Sequence, residues 1–425
     1  MKTLQNLLES GDFKGLYPER ERQKQAARYK KLYSEFSGLF GEKGPYYIFS
    51  SPGRVEIGGN HTDHNNGKVI AASVNLDALC FAKKTSDNIV DIYDLKYKER
   101  FKIDLNGLTP LEDEKNRFPA LIRGTAAGLK KRGYRIGGFQ ACLHNEVFSG
   151  SGLSSSAAIE ALLCSIFNEF YNESKVDFIT SAAIGQYAEN VFFGKPCGLL
   201  DQSACAAGGM TAIDFKDPKN PEYQKLGNPF ENGEYLMAVV KPGGDHGGLT
   251  GLYASIPEEM KKAASFFGKE VCRQISLEEL FGKAEELRQK EGDRVFLRAY
   301  HFLKENERVD NQIEALRGRD FDKFFALIKA SGDSSWKYLQ NVYAPSDPRR
   351  QELSSALAVA DHFTSKYGGA CRVHGGGFAG TILAFVKKEK SPEFQDLMEK
   401  AFGASCVVSL DIRKDGARLA AKIDE

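Results

Sequence analysis

The stretch Gly150-Ser-Gly-Leu-Ser-Ser-Ser-Ala157 separates a predicted strand from a predicted helix. Residues 138–148 before it carry the aromatic and β-branched side chains typical of a strand. Residues 157–170 after it repeat apolar side chains at helical spacing. The glycines of the loop allow a ligand to approach the backbone closely, and its serines can cap a helix. Because the start of a helix presents unpaired N–H groups, the loop predicts an anion site that suits a phosphate chain.

A simple helix-capping turn is the alternative interpretation of this loop, since glycine-serine turns are common. The Gly-x-x-x-x-Gly-Lys-Ser/Thr pattern of a Walker loop does not occur in it. The choice between a turn and a phosphate site therefore depends on the rest of the chain.

The size and composition are those of an ordinary globular protein. The chain has 425 residues, of which 42% are hydrophobic and 27% charged, with a formal net charge of +1. This balance favours neither nucleic acid nor an anionic membrane as a partner. The eight cysteines form no Cys-x-x-Cys pair and several lie in apolar runs, which indicates buried free thiols. We find no signal peptide and no run long enough to span a membrane, so we expect a cytoplasmic protein.

Strands and helices are mixed along the chain, which predicts an α+β fold rather than a doubly wound parallel sheet. The predicted strands are 46–51, 68–77, 78–83, 88–93, 138–148, 210–215, 235–241, 369–373 and 381–386. The predicted helices are 3–40, 120–131, 157–170, 180–193 and a run from about 257 to 366. The proline- and asparagine-rich stretch 217–233 is the predicted boundary between two lobes, 1–220 and 221–425.

Residues 51–67 concentrate polar chemistry between two strands. They include one arginine, two carboxylates, two histidines and three asparagines among four glycines. Such a loop can offer several donors and acceptors to a polyhydroxylated molecule, although a solvated turn is the alternative. His61, Asp63 and His64 could also hold a metal ion, but their spacing matches no known ligand signature.

Two further stretches contain groups that could take part in a reaction. Asp201 follows two leucines and enters an apolar run of small residues, which predicts a partly buried carboxylate. A buried carboxylate needs partners, and it is then either part of a salt bridge or catalytic. Glu189 lies on the preceding predicted helix, where alone it would pass as a surface residue. The glycine-rich segment 375–380 joins two predicted strands and is a weak signal by itself.

Taken together and in this order, the four stretches resemble the GHMP small-molecule kinases, with the galactokinase family as the nearest match. The family motif Gly-Arg-x-Asn-x-Ile-Gly-Glu-His-Thr-Asp-Tyr-Asn-x-Gly is similar to residues 53–67. Gly-x-Gly-Leu-Ser-Ser-Ser-Ala is matched at 150–157, Gly-Ile-Met-Asp-Gln at 198–202, and Gly-x-Gly-Phe-Gly-Gly at 375–380. The resemblance implies a two-lobed α+β GHMP kinase fold, with a ribosomal protein S5 domain 2-like N-terminal lobe and a ferredoxin-like α/β C-terminal lobe.

The resemblance also implies a role for each matching residue. Asp201 falls on the family's catalytic aspartate and Arg54 on the arginine beside it, while Ser156 and Glu189 match the magnesium ligands. The implied ATP-binding residues form one continuous loop: Gly150, Ser151, Gly152, Leu153, Ser154, Ser155, Ser156 and Ala157. The implied sugar-binding residues are Asn60, His61, Asp63, Gly198 and, as a looser match seven residues after His246, Tyr253.

The chain departs from the family motifs at several positions, of which Asn60 bears on the sugar. Asn60 replaces a glutamate that accepts hydrogen bonds from the C6 side of the sugar, and Glu56 replaces an asparagine. An amide can still bind a C6 hydroxyl, and it removes the repulsion that a glutamate would exert on a C6 carboxylate. The resemblance therefore implies phosphorylation of galactose with ATP and Mg²⁺, with galacturonate as the second candidate substrate.

A sugar- and ATP-sensing paralogue without catalysis is the alternative outside the enzymes. The intact 154–157 segment, together with Asp201 and Arg54, argues against it. The expected partners are a small-molecule sugar and a nucleotide, with no nucleic acid and no membrane. We expect a monomer.

Overall fold

The computed structural model describes residues 4–10, 13, 15–42, 44–148, 152–244 and 249–424. Helices and strands are mixed, as predicted for an α+β fold, and the strands form two sheets. The helices are α1 Leu4–Ser10, α2 Arg22–Phe40, α3 Phe118–Lys131, α4 Ser155–Tyr171, α5 Phe178–Tyr187, α6 Leu200–Ala207, α7 Thr250–Phe266, α8 Leu277–Gly282, α9 Ala284–Glu291, α10 Asp293–Arg317, α11 Phe321–Ser334, α12 Glu352–Tyr367 and α13 Ser391–Phe402. The strands are β1 Tyr46–Gly58, β2 Lys68–Lys84, β3 Ile89–Asp94, β4 Glu99–Asp104, β5 Phe139–Asn145, β6 Met210–Asp214, β7 Glu222–Gly227, β8 Tyr235–Val240, β9 Gly369–His374, β10 Thr381–Lys387, β11 Val407–Leu410 and β12 Arg418–Ile423.

The first sheet is built around β2, whose two halves pair with different strands. Residues 68–72 pair with β6, and residues 78–84 pair with β5. The strand order is β12-β1-β2-β5-β3-β4, with β7 beyond β6. Strand β1 shifts its register on β2 between Pro52 and Arg54 and again near Gly58. Such irregularities redirect side chains, and the predicted site residue Arg54 lies at one of them.

Helix α4 packs on the first sheet through one apolar face. Its residues Ile159, Leu162, Ile166 and Phe167 belong to a cluster that also contains Phe49 of β1. Full burial of each such side chain contributes roughly 1.5–3 kcal/mol. This face therefore holds α4, and the loop at its start, against the strands that carry the polar segment 51–67.

The second sheet has the order β11-β8-β10-β9 and is antiparallel throughout. Helices α12 and α13 cover it through Phe363 and Phe394, whose rings lie 5.2 Å apart. Phe324 and Phe325 of α11 pack against Phe385 of β10. Strands β9 and β10 are joined by the glycine-rich segment 375–380, so this segment is held at one end of the sheet.

The last strand returns to the first sheet, where β12 pairs antiparallel with β1. Sheet membership thus groups β1–β7 with β12, and β8 with β9–β11. The division into lobes 1–220 and 221–425 stays a prediction. In the described part of the chain, no helix combines the length and the apolar character needed to cross a bilayer. All eight cysteines are free, and all but Cys197 are buried, as predicted.

Several element boundaries differ from the predictions. Pro52 and Gly53 do not end β1, because they lie at its irregularity, where a ladder hydrogen bond is not required. The two strands predicted over 68–83 form one strand, β2. Strand β7 crosses the stretch predicted as a boundary. Elements that were not predicted are β4, β7, β11, β12, α6 and α13.

The predicted N-terminal helix over 3–40 is divided into α1 and α2 in the structure. Helix α2 ends at Gly41, whose φ of 80° suits a glycine. Arg28 of α2 donates from Nη1 to Oδ1 of Asp77 at 2.5 Å, and both side chains are almost fully buried. Arg413 lies 3.4 Å from the same carboxylate. Asp77 of β2 thus connects the first sheet to α2 near the start of the chain and to Arg413 near its end. Removing one partner of such a buried ion pair is strongly destabilising.

Candidate active site

Asp201 lies in the first turn of α6 and joins two of the predicted motifs. Its Oδ1 accepts hydrogen bonds from Nε of Arg54 at 2.8 Å and from Nη2 at 2.5 Å. Its Oδ2 accepts a hydrogen bond from the Ser154 hydroxyl at the start of α4. The structure therefore brings the predicted carboxylate, the predicted guanidinium and the predicted phosphate loop together.

The charge of Asp201 is stabilised by these neighbours. Burial alone would raise its pKa, but the charge of Arg54 and the hydrogen bonds from Ser154 and Arg54 hold the pKa below its usual value. The carboxylate is therefore ionised at neutral pH and can accept a proton. Its side chain is 30% exposed, so it remains accessible to a substrate.

The start of α4 has no side-chain cap at its N-cap residue. Residues 152–157 are described, whereas Gly150 and Ser151 lie outside the described residues. Ser154 occupies the N-cap position with φ 57° and makes no capping hydrogen bond, because its hydroxyl is bonded to Asp201. The structure thus differs from the prediction that serines cap this helix. Without a side-chain cap at Ser154, the first N–H groups of this 17-residue helix lack the usual capping acceptor, and such a helix start favours an anion.

Strand β1 fixes the phosphate loop through Arg54. The Arg54 amide donates to the Leu153 carbonyl at 3.0 Å, and its guanidinium donates to the Gly152 carbonyl. A Cβ at Gly53 would lie 2.9 Å from the Leu153 oxygen, so a side chain there would separate the two segments. The polar segment 51–67 and the phosphate loop therefore form one unit.

Ser156 and Glu189 form a polar corner beside the loop. Oγ of Ser156 donates to Oε1 of Glu189 at 2.9 Å, and Nζ of Lys195 lies 3.2 Å from the same oxygen. Gln202 donates to Oε2 of Glu189 at 2.8 Å and to Oε2 of Glu160 at 3.1 Å. Burial, and then the charge of Glu189, raise the pKa of Glu160 well above its usual value. Ser156 and Glu189 are thus the oxygen-bearing pair of this corner, with Oε1 of Glu189 bonded to Ser156 and Lys195 and Oε2 bonded to Gln202.

The described residues contain no cluster of three or more His, Cys, Asp or Glu side chains that could hold a metal ion. His61, Asp63 and His64 do not form such a cluster among the described residues. Two protein oxygens are compatible with Mg²⁺, which usually keeps waters and substrate phosphates among its ligands. The pair Ser156 and Glu189 fits this second arrangement.

Two of the predicted sugar residues, His61 and Tyr253, contact the glycine-rich segment 375–380. Nε2 of His61 lies 3.0 Å from the carbonyl oxygen of Gly376, and Oη of Tyr253 donates to the Gly377 carbonyl at 2.9 Å. A Cβ at Gly376 would lie 2.7 Å from the Tyr253 ring, so only glycine allows this packing. A Cβ at Gly198 would overlap the Asp63 carboxylate. These residues thus form two contacts. His61 and Tyr253 contact the segment 375–380, and Asp63 contacts Gly198.

Asn60 is placed differently, because its amide is enclosed by protein. Its exposed fraction is 0%. Nδ2 donates to Oε1 of Glu56 at 3.0 Å and to the Gly375 carbonyl at 2.8 Å. Oδ1 accepts from Asn341 at 3.0 Å and from Ser335 at 3.2 Å. The prediction that Asn60 binds sugar remains untested, but its amide hydrogen bonds are made within the protein.

Asp63 is expected to make the unliganded protein less stable as the pH rises. Burial, followed by the charges of Asp201 and Glu56, raises the pKa of Asp63 from 3.8 to about 7. A raised pKa contributes stability that is complete below about pH 4 and is lost as the pH rises through 7. The difference in unfolding free energy between Asp63→Asn and wild type should therefore grow by about 2–4 kcal/mol in favour of the variant from pH 4 to pH 8. Urea unfolding at the two pH values measures this difference.

Asp104→Asn, at an exposed aspartate of β4, is the control for this comparison. Its difference from wild type measures the effect of the same substitution outside the site. A pH-independent difference for Asp63→Asn would contradict the raised pKa of Asp63.

Some residues of the site were not predicted from the sequence. Gln202 follows Asp201 directly and connects Glu160 with Glu189. Lys195 lies in a Gly-Lys-Pro segment that indicated only the end of a helix. Nε2 of His374 accepts a hydrogen bond from the Glu56 amide at 3.2 Å, and the His374 ring lies beside Gly152. A polar side chain inside an otherwise apolar or turn-forming run was the available signal for all three.

A carboxylate paired with a guanidinium beside a helix start, on two sheets of this topology, is the arrangement expected of a small-molecule kinase of the GHMP class. Residues 34–84 match the galactokinase galactose-binding signature, and residues 120–209 match the GHMP kinases N terminal domain. The chain belongs to the galactokinase family, and so to a class of phosphotransferases.

Curated relatives match over most of the chain. A galactokinase of Actinobacillus pleuropneumoniae serotype 3 is 30% identical over 390 residues, covering 91% of this chain and 97% of the relative. A galactokinase of Clostridium tetani is 30% identical over 371 residues, covering 86% of this chain and 90% of the relative.

Solved structures share the fold. The Lactococcus lactis galactokinase complexed with galactose has a TM-score of 0.79 at 23% identity, covering 92% of this chain and 99% of that one. The Methanococcus jannaschii mevalonate kinase has a TM-score of 0.61 at 16% identity, covering 87% of this chain and 99% of that one. The GHMP kinase fold implied by the sequence motifs is thus confirmed.

Proposed function

We propose that the protein transfers the terminal phosphoryl group of ATP to the anomeric hydroxyl of galactose, giving galactose 1-phosphate and ADP. The observation that carries this proposal is the position of Asp201, which is hydrogen bonded to Arg54 on one side and to Ser154 of the phosphate loop on the other. The similarity of the chain to galactokinases over nine-tenths of its length supports the choice of sugar.

In the proposed reaction the anomeric oxygen attacks the terminal phosphorus, and the bond from that phosphorus to the bridging oxygen of ADP breaks. ADP leaves with the electron pair, and the hydroxyl proton passes to the Asp201 carboxylate. Arg54 keeps that carboxylate ionised and can offset negative charge on the transferred group. Because phosphoryl transfer depends mainly on positioning and on charge stabilisation, a site with one acidic group and many N–H donors is sufficient.

The nucleotide phosphates are proposed to bind at the start of α4, where the helix N–H groups lack a cap from Ser154. We propose that Ser156 and Glu189 hold Mg²⁺ there. When bound, the ion would neutralise phosphate charge. His61 and Tyr253, held against the segment 375–380, and Asp63, which lies against Gly198, are proposed to orient the sugar so that one hydroxyl faces Asp201.

The experiment is a panel of phosphate acceptors with the purified protein, ATP and Mg²⁺. We expect kcat/KM for galactose to exceed the values for glucose, galactosamine and galacturonate by roughly tenfold or more, since unmatched polar groups in the site are costly. ADP release measures the rate, and phosphorus NMR identifies the phosphorylated carbon. A preference for galacturonate, or phosphorylation at another carbon, would contradict the proposal.

A further inference from the structure

Residues 56 and 60 carry the two residue types of the family motif in exchanged order. The motif has asparagine at the first position and glutamate at the second, whereas this chain has Glu56 and Asn60. The two side chains are joined by a hydrogen bond from Nδ2 of Asn60 to Oε1 of Glu56 at 3.0 Å. The segment therefore retains one carboxylate and one amide in contact with each other. The carboxylate is at residue 56, four residues before the position at which the family motif has it.

The Glu56 carboxylate is anchored through only one of its oxygens. Oε1 accepts from Asn60 and from Nη2 of Arg372, the latter at 2.5 Å. Among the described residues none is hydrogen bonded to Oε2, and this oxygen is not fully buried. Glu56 is 7% exposed, which limits access to a group that enters the site.

The remaining donors around Glu56 are already used. Arg372 is fully buried and donates to the Ile57 and Val373 carbonyls as well as to Glu56. It has no exposed surface with which to bind a substrate carboxylate. Glu56 and Arg54 lie two residues apart in a regular part of β1, so their side chains project from the same face of the strand, the face that carries the Arg54–Asp201 pair.

We propose that Glu56 supplies the charged acceptor for a hydroxyl of the sugar, and that Asn60 and Arg372 are positioning residues that fix its orientation. This inference rests on the proposed function. It also bears on the choice of substrate, because a retained carboxylate favours a hydroxyl donor and repels an acidic sugar. The argument for galacturonate depended on the loss of this charge, and the exchange restores the charge at residue 56.

A purely structural role is the competing explanation. Glu56 lies on β1 and Arg372 on β9, so their ion pair joins the two sheets. Loss of such a pair would reduce stability and would affect every substrate alike. A hydrogen bond to one hydroxyl affects only those substrates that carry that hydroxyl.

The test compares wild type with Glu56→Gln on galactose and on its 2-, 3-, 4- and 6-deoxy analogues. We expect Glu56→Gln to lower kcat/KM for galactose by roughly ten- to hundredfold, as for a hydrogen bond to a charged group. For one deoxy analogue, wild type and variant should be nearly equal, and for the other analogues the loss should persist. The galacturonate-to-galactose ratio of kcat/KM should rise in the variant. An equal loss on all sugars, or no loss, overturns the inference.

Two further variants keep the result decisive. Glu56→Asp keeps the negative charge beside Arg372 but moves the acceptor back by one methylene. Its loss of kcat/KM should be smaller than that of Glu56→Gln and should depend on the same hydroxyl. This variant decides the outcome if Glu56→Gln does not fold. Glu114→Gln breaks a matched buried pair with Arg123, whose two hydrogen bonds measure 2.7 and 2.9 Å. It should lower the melting temperature without distinguishing among the sugars. If wild type itself does not phosphorylate galactose, the proposed function fails, whereas uniform losses in an active enzyme refute only the role of Glu56.

Discussion

Asp201→Asn is expected to lower kcat by roughly a hundredfold or more, as for the loss of a group that accepts a proton in the transition state. The amide keeps the shape of the carboxylate but carries no charge and does not take up the hydroxyl proton. It also leaves the Arg54 guanidinium without its anionic partner. Nucleotide affinity should change little, because the phosphates are proposed to bind the amides of α4. Steady-state ADP release and equilibrium titration with ATP measure the two effects separately.

Asp214→Asn is the matched control for this variant. Asp214 also pairs with an arginine, accepting from Nη2 of Arg273 at 2.9 Å, but it lies at the end of β6 outside the site. Its turnover should stay close to that of wild type. Thermal unfolding of both variants shows whether the fold is retained. Near-normal turnover in folded Asp201→Asn would remove Asp201 from the mechanism.

The central part of the site could be predicted because its residue types are tied to local backbone geometry. A strand, a glycine-serine loop and an apolar helix in succession predict the start of α4. The carboxylate entering a run of small residues predicts Asp201 on a buried element, and it lies in the first turn of α6. That the two meet, through the hydrogen bond from Ser154, followed only from the family resemblance, since 47 residues separate them in the chain.

Side-chain partners could not be predicted in the same way. Serine at a helix start usually caps the helix, but Ser154 donates to Asp201 because a charged acceptor forms the stronger hydrogen bond. Asn60 carried the argument about the substrate, yet its partners come from segments as distant as 335, 341 and 375. A single sequence contains no signal for such contacts, because they depend on how the two sheets pack.

Missed elements share a different physical cause. Strand β4 alternates charged residues with Phe101 and Ile103 and lies at the edge of the first sheet, where charged side chains face solvent. Such a strand has the composition of a loop. Strand β12 is short and is stabilised by pairing with β1, far earlier in the chain. Propensity within a short window cannot indicate either pairing.

Gly152→Val is expected to weaken ATP binding by roughly a hundredfold, as for a strained and displaced backbone segment. Gly152 has φ 70°, a conformation that β-branched residues avoid, and a Cβ there would lie 2.8 Å from Nδ1 of His374. The loop would have to move, and the hydrogen bond from Arg54 to the Gly152 carbonyl would be lost. Isothermal titration with ATP measures the effect, and Gly152→Ala should give an intermediate loss. Gly107→Val is the control, because nothing lies within 4 Å of a Cβ at that position. Unchanged ATP affinity in a folded Gly152→Val protein would mean that the phosphates bind elsewhere.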